Sequence, residues 1–137
     1  MYDAALFDLF GTLVTERGDA IDGAARTLQR LPPARWAIVT SCPRRLADTL
    51  LERSGLPRPH VIVSSDDVQR GKPAPDGYLF AAAQLNVEPS HCVAIEDSPQ
   101  GVDAARAAGM DVVNVRETPL QNLALDVGLA GRLRLRR

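Results

Sequence analysis

Four short segments of this chain place acids, hydroxyls and a lysine where apolar runs end. Ala4-Ala5-Leu6-Phe7 ends in Asp8, followed at once by Gly11-Thr12-Leu13. Trp36-Ala37-Ile38-Val39 ends in Thr40-Ser41, and Cys92-Val93-Ala94-Ile95 ends in Glu96-Asp97. Val61-Ile62-Val63 leads into a polar loop that carries Lys72 between Gly71 and Pro73. A carboxylate delivered at the end of a buried strand can serve as a covalent nucleophile, a metal ligand or both. It can also be part of a plain turn, since Asp and Gly favour turns. Glu96-Asp97-Ser98 precedes a helix opening at Pro99, so Asp97 and Ser98 are also candidate helix caps. Facing Asp8, however, the acidic pair would need a proton or a cation between the like charges. A hard, oxygen-liganded Mg²⁺ fits such a set. Lys72 would offset those charges and hold an anion. Thr40 and Ser41 would add a hydroxyl and backbone N–H groups at the mouth of the next helix. Taken together, these groups describe a phosphoryl-handling pocket with a metal.

Convergence of the four segments requires a particular scaffold. Strands are expected at 4–7, 36–39, 61–63, 92–95 and 112–115, each apolar nearly throughout. Between them, 19–30, 43–54, 75–85 and 99–108 carry apolar residues at helical spacing or end at helix-stopping Pro and Gly. A further short helix is expected within 120–129. Uniformly apolar strands separated by helices imply a parallel sheet covered on both faces. The fold class is therefore α/β, a doubly wound three-layer sandwich of Rossmann type with a mainly parallel sheet of five to six strands. In open sheets of this kind ligands bind just beyond the carboxyl ends of the strands, where Asp8, Thr40, Ser41, Glu96 and Asp97 all fall.

Bulk properties narrow the function further. With 137 residues, 45% of them hydrophobic and 24% charged, the chain reads as one globular domain spanning 1–137. A formal net charge of −1 gives no field to attract nucleic acid or acidic lipid. The basic cluster Arg132, Arg134, Arg136 and Arg137 alternates with Leu133 and Leu135, as in an edge strand with one charged face. No stretch is apolar for long enough to cross a bilayer. The N-terminus lacks a signal pattern, so a cytoplasmic protein is expected. Cys42 and Cys92 lack metal-ligand spacing and are expected as free thiols, Cys92 in the core.

In order along the chain, the four segments resemble the motifs of the haloacid dehalogenase-like hydrolase superfamily. The matching strings are Phe7-Asp8-Leu9-Phe10-Gly11-Thr12-Leu13, Ile38-Val39-Thr40-Ser41, Gly71-Lys72-Pro73-Ala74-Pro75 and Ile95-Glu96-Asp97-Ser98-Pro99-Gln100-Gly101. The last two are closest to its phosphatases and phosphosugar mutases. The resemblance implies that Asp8 forms an aspartyl-phosphate and that Thr40 and Lys72 hold the phosphoryl oxygens, with Ser41, Gly11 and Thr12 on the phosphate-binding side. It implies Mg²⁺ held by Asp8, Asp97, the backbone carbonyl of Phe10 and Glu96, the last directly or through water. The implied partner is a small phosphorylated metabolite or a phosphorylated macromolecule.

Two departures from the family pattern bear on activity. Family phosphatases carry a second Asp two residues after the nucleophile as general acid and base, and here that position is Phe10. Loss of such a group typically slows catalysis by about 10² to 10⁴. Dehalogenases of the superfamily also lack that Asp, since halide leaves unprotonated, but they use no metal and their fourth motif differs. The second departure is the helical cap domain, absent between the first two motifs: only 27 residues, 13 to 39, separate Thr12 from Thr40. An open cleft is expected, covered by a large substrate or by a second subunit of a homodimer, or else poorly selective. The leading expectation is a slow Mg²⁺-dependent phosphoric monoester hydrolase. The alternatives are a catalytically impaired domain that binds a partner or phospho-ligand, and a 2-haloacid dehalogenase. A receiver-type phospho-acceptor fits less well, because its acceptor Asp belongs on a middle strand rather than the first.

Overall fold

The computed structural model describes residues 1–136. Five strands form one wholly parallel sheet: β1 (Ala4–Phe7), β2 (Trp36–Val39), β3 (Val61–Val63), β4 (Cys92–Glu96) and β5 (Asp111–Asn114), in the spatial order β3-β2-β1-β4-β5. β1 lies in the centre, with Leu6 opposite Ala37 on one side and Ala94 on the other. Every residue of β1, β2 and β4 is buried, which is why these strands are apolar without alternation.

The two pleat faces bury different helices. Ala5, Phe7, Trp36, Ile38, Val93 and Ile95 pack against α1 (Ala24–Gln29) and α2 (Arg44–Ser54). Within that layer the Phe7 and Trp36 rings meet edge to face with centroids 5.8 Å apart. Ala4, Leu6, Ala37, Val39 and Ala94 pack against α3 (Asp76–Leu85) and α4 (Pro99–Ala107). The result is the expected doubly wound α/β/α sandwich. Helix ends follow the local chemistry. Gly55 closes α2 in the left-handed region, and Ser98 caps α4 by accepting from the Gly101 N–H.

Two expectations need correction. The helix expected over 19–30 exists only as α1. The preceding stretch is held as an irregular loop, with Ile21 N–H bonded to the Leu13 carbonyl, Val14 bridged to Ala20, and Gly23 at φ 92°. Residues 120–129 are not helical: a 3-10 turn at Leu120–Asn122 leads into β6 (Ala124–Val127). Leu123 and Leu125 point inward and Ala124 and Asp126 are less buried, a period of two rather than 3.6. β6 pairs antiparallel with β7 (Leu133–Arg136) in a separate two-stranded sheet. The basic run is therefore a strand with Leu133 buried and Arg134 and Arg136 exposed, as its alternation implied. It is one of the two strands of that small sheet and not part of the main one. Arg137 lies outside the described residues. Among the described residues, no helix is long and apolar enough to cross a membrane.

Candidate active site

The sheet order sets the site. β2, β1 and β4 are adjacent and parallel, so the residues that end them stand side by side at one edge. Asp8 continues β1, its N–H bonded to the Ile95 carbonyl at 3.0 Å, and Thr40 continues β2 by bonding the Val63 carbonyl at 2.9 Å. The loop after Asp8 folds back on itself, with the N–H groups of Thr12, Leu13 and Val14 all directed at the Leu9 carbonyl. That tight turn drops the Thr12 hydroxyl between two acids, 3.2 Å from Asp8 Oδ2 and 3.4 Å from Asp97 Oδ1. Gly11 is at φ +86°, and a Cβ there would lie within 3.0 Å of the Asp97 carboxyl. Glycine at this position lets the acid reach the cleft.

Lys72 is the centre of charge. Its side chain is only 8% exposed, and Nζ donates to Asp8 Oδ1 at 2.8 Å, Glu96 Oε2 at 2.7 Å and the Val39 carbonyl at 2.9 Å. The loop reaches this far because a turn closes from Ala74 N–H to the Gly71 carbonyl before α3 begins. Burial lowers the affinity of Lys72 for its proton, but Asp8 and then Glu96 more than reverse this, so its pKa lies above the usual lysine value. For Asp8, burial dominates in the other direction: the carboxyl is pushed up to about 8, with Lys72 opposing and Glu96 adding to the rise.

Asp8, Glu96 and Asp97 each offer an oxygen, and these oxygens lie within 4.8 Å of one another. Three carboxylates beside one ammonium leave negative charge uncompensated. An all-oxygen donor set of that sign suits a hard divalent cation. Glu96 and Asp97 are neighbours in sequence with opposite destinations. Asp97 turns to the cleft, while Glu96 is fully buried behind it. There Glu96 Oε2 also accepts from the Tyr78 hydroxyl, and Oε1 has no hydrogen-bond partner. Gly101 forms the wall against that carboxyl.

A cavity of about 590 Å³ opens above these groups, lined by Asp8, Phe10, Thr40, Ser41, Lys72 and Asp97 among others. Of the candidate site residues, Asp8, Phe10, Thr40, Ser41, Lys72 and Asp97 thus share one cleft, and Glu96 lies beneath it. Gly11 and Thr12 line an adjoining cavity of about 540 Å³ that shares Asp97. Thr40 Oγ1 faces the N–H and Sγ of Cys42 at 3.3 Å, and Cys42 is a half-buried free thiol. The first helical N–H of α2, at Arg44, is taken by Asp66 at 3.0 Å, so that group is not free for an anion. Ser98, not Asp97, caps α4, which leaves Asp97 available to the cleft. Residue types alone did not single out Tyr78, which looked like one more apolar-face residue of α3. The available signal was its hydroxyl, since a buried Tyr oxygen needs a polar partner. Gly101 takes its role from its contact with the Glu96 carboxyl, which residue type alone does not reveal.

The pattern of a haloacid dehalogenase-like hydrolase family matches residues 14–109, a span that includes Thr40, Lys72, Glu96 and Asp97 and starts after Asp8. Hexitol phosphatase A of Escherichia coli is 42% identical over 113 residues, 79% of this chain and 52% of that protein. Validoxylamine A 7'-phosphate phosphatase of Streptomyces hygroscopicus is 43% identical over 101 residues, covering 72% of this chain and 47% of that protein. The chain therefore spans about half the length of these curated relatives. A crystal structure of a hydrolase of this family from Deinococcus radiodurans, with bound phosphate and sodium, superposes with a TM-score of 0.76 at 28% identity. That match covers 81% of this chain and 79% of the other.

Proposed function

The chain belongs to the haloacid dehalogenase-like hydrolase family, and on that premise we propose that it is a phosphoric monoester hydrolase working through an aspartyl-phosphate on Asp8. The observation that carries this reading is the single cavity in which Asp8, Thr40, Lys72 and Asp97 meet. Asp8 is the nucleophile: a carboxylate oxygen bonds to phosphorus as the ester oxygen departs on the opposite side. Lys72 steadies Asp8 and lends its charge to the phosphoryl oxygens, which Thr40 and Ser41 hold from the β2 side. Gly11 and Thr12 shape the turn beneath. Water then attacks phosphorus, phosphate leaves, and Asp8 is restored. Asp8, Asp97 and the Phe10 carbonyl would hold Mg²⁺, with Glu96 contributing charge from below. Bound there, Mg²⁺ would neutralise the carboxylates and the charge on the phosphoryl group. The phosphatase names of the relatives support a small phosphorylated metabolite as substrate. The 27 residues between Thr12 and Thr40 hold α1, a 3-10 turn, β2 and their connections, which leaves no room for a cap inserted there.

The test is phosphate release from an aryl phosphate with and without Mg²⁺. Turnover that needs the metal and disappears in Asp8→Asn is expected; equal rates for parent and Asp8→Asn would end the proposal. Phe10 favours a second reading, a domain that binds a phospho-ligand or partner without useful turnover. Phe10→Asp separates the two. A rise of about 10² to 10⁴ from a near-zero parent marks an impaired catalyst, whereas a parent already fast on a metabolite excludes that reading.

A further inference from the structure

We infer that the mouth of this cleft is an apolar leaving-group subsite built by Phe10 and Leu46. On this inference, which rests on the phosphatase reading, the substrate is a phosphoric ester or anhydride with a flat, weakly basic leaving group, of the aryl, enol or acyl phosphate class. Phe10 and Leu46 belong to the few large apolar side chains that stay open to solvent, 41% and 44% exposed. They come from different elements, the turn after β1 and the first turn of α2, yet both line the cavity that holds Asp8, Thr40 and Lys72. Exposed apolar residues scattered singly need no explanation, but two converging on one polar-floored cleft do.

The geometry of displacement decides which part of a substrate they meet. Attack by Asp8 places the departing oxygen in line on the far side of phosphorus. The phosphoryl group occupies the polar floor, so the remainder of the substrate points outward past Phe10 and Leu46. The neighbouring side chains at the mouth, Ser98 and Gln100, are neutral.

Proton supply excludes basic leaving groups. The titratable residues lining the cavity are Asp8, Cys42, Lys72 and Asp97. Asp8 is the nucleophile, and Lys72 is committed to three acceptors. Asp97 belongs to the carboxylate set, and Cys42 sits against Thr40 on the floor. None stands at the mouth to protonate an alkoxide. A sugar or polyol phosphate would therefore release a high-energy anion onto a hydrocarbon surface. A phenolate, enolate or carboxylate leaves as a stable anion, and its flat body covers Phe10 and Leu46. The adjoining cavity, with Asp22, Arg116 and Gln121, is better suited to hydroxyls, but it lacks Asp8, Thr40 and Lys72.

The experiment compares kcat/KM with saturating Mg²⁺ for acetyl phosphate, a series of substituted phenyl phosphates and a hexose 6-phosphate, in the parent and in Leu46→Gln. Leu46 is exposed on a helix surface and Gln is a good helix former, so the variant folds. For the parent, 4-nitrophenyl phosphate is expected to exceed the hexose phosphate by at least about 100-fold, with rates falling steeply as the phenol becomes more basic. Leu46→Gln is expected to lower the ratio of 4-nitrophenyl to acetyl phosphate about tenfold, through KM. A hexose phosphate turned over as well as the aryl ester, or a ratio untouched by Leu46→Gln, would overturn the inference while leaving the phosphatase reading intact. Failure to hydrolyse any of the three classes would remove that reading and the inference with it.

Discussion

Gly101→Ala should destabilise this protein, although helix propensity alone gives the opposite sign. Gly101 lies inside α4, where replacing Gly by Ala normally stabilises by about 0.5–1 kcal/mol. Here an added Cβ would stand closer than 3.0 Å to Cδ, Oε1 and Oε2 of Glu96. Glu96 must then retreat by roughly 1.5 Å to reach ordinary van der Waals contact. It is fully buried, and its Oε2 holds both Lys72 and the Tyr78 hydroxyl. A shift of that size separates Glu96 from Lys72 without giving either a route to water. Breaking one partner out of a buried ion pair costs about 3–5 kcal/mol. Less the propensity gain, the net is about 2–4 kcal/mol of lost stability. Lys72 would also lose one of the acceptors that aim it at Asp8, and a misplacement near 1 Å can cost about 10² in rate. Urea denaturation of parent and variant reads the first effect and aryl phosphate turnover the second. Gly71→Ala is the control, since its Cβ meets nothing within 4 Å. A Gly101→Ala variant as stable as the parent would refute the packing logic that ties α4 to Glu96.

Two further outcomes follow from the same network. Tyr78→Phe keeps the ring whose centroid lies 5.4 Å from Lys72 Nζ but removes the donor to Glu96; stability should fall by about 1.5–3 kcal/mol in urea titration, and an unchanged midpoint would count against the network. Asp8 predicts a pH effect in metal-free buffer: its folded pKa, about 8, lies above the ordinary carboxyl value of 3.8, so its contribution is fully present below pH 4 and is lost as pH rises towards 8. At about 1.4 kcal/mol per unit the ceiling is about 6 kcal/mol. Asp8→Asn should flatten the thermal stability profile across that window, and identical parent and variant profiles would contradict the burial of this acid. Lys72 does not share the window, since its own pKa is raised above the lysine range.

The sheet was legible because its strands are buried on both faces, which forces unbroken apolar runs at 4–7, 36–39 and 92–95. Helix ends were legible where Pro and Gly mark them, as at Pro43, Gly55 and Pro99. The failures have a common cause. Ile21, Ala24, Leu28 and Leu31 fit helical spacing, but the first is held by a backbone bond to Leu13 and Gly23 turns left-handed, so only Ala24–Gln29 winds into a helix. Leu123 and Leu125 likewise follow a strand period that becomes visible only when β7 supplies the partner. In both places a long-range backbone bond outweighed local spacing, and single-residue patterns do not record such bonds.

At the site, residue types were legible and partnerships were not. Successive side chains at a strand end point to opposite faces, so Glu96 and Asp97 leave β4 on different sides, although an oxygen of each stays within 4.8 Å of one on Asp8. Asp97 turns to the cleft over Gly11, and Glu96 turns to the layer of α3 and α4, where Tyr78 and Gly101 receive it. Lys72 then bridges the two sides, bonded to Asp8 above and Glu96 below. This division has a consequence for the chemistry. One ammonium shared between two buried acids cannot fully neutralise either, and burial still raises the Asp8 carboxyl to about 8. A nucleophilic Asp must be ionised to attack. A cation at Asp8 and Asp97 would favour that ionised form, and it would do so beside the floor where a phosphoryl group can lie. The metal requirement proposed for turnover and the strained protonation of Asp8 are thus two expressions of a single surplus of buried negative charge.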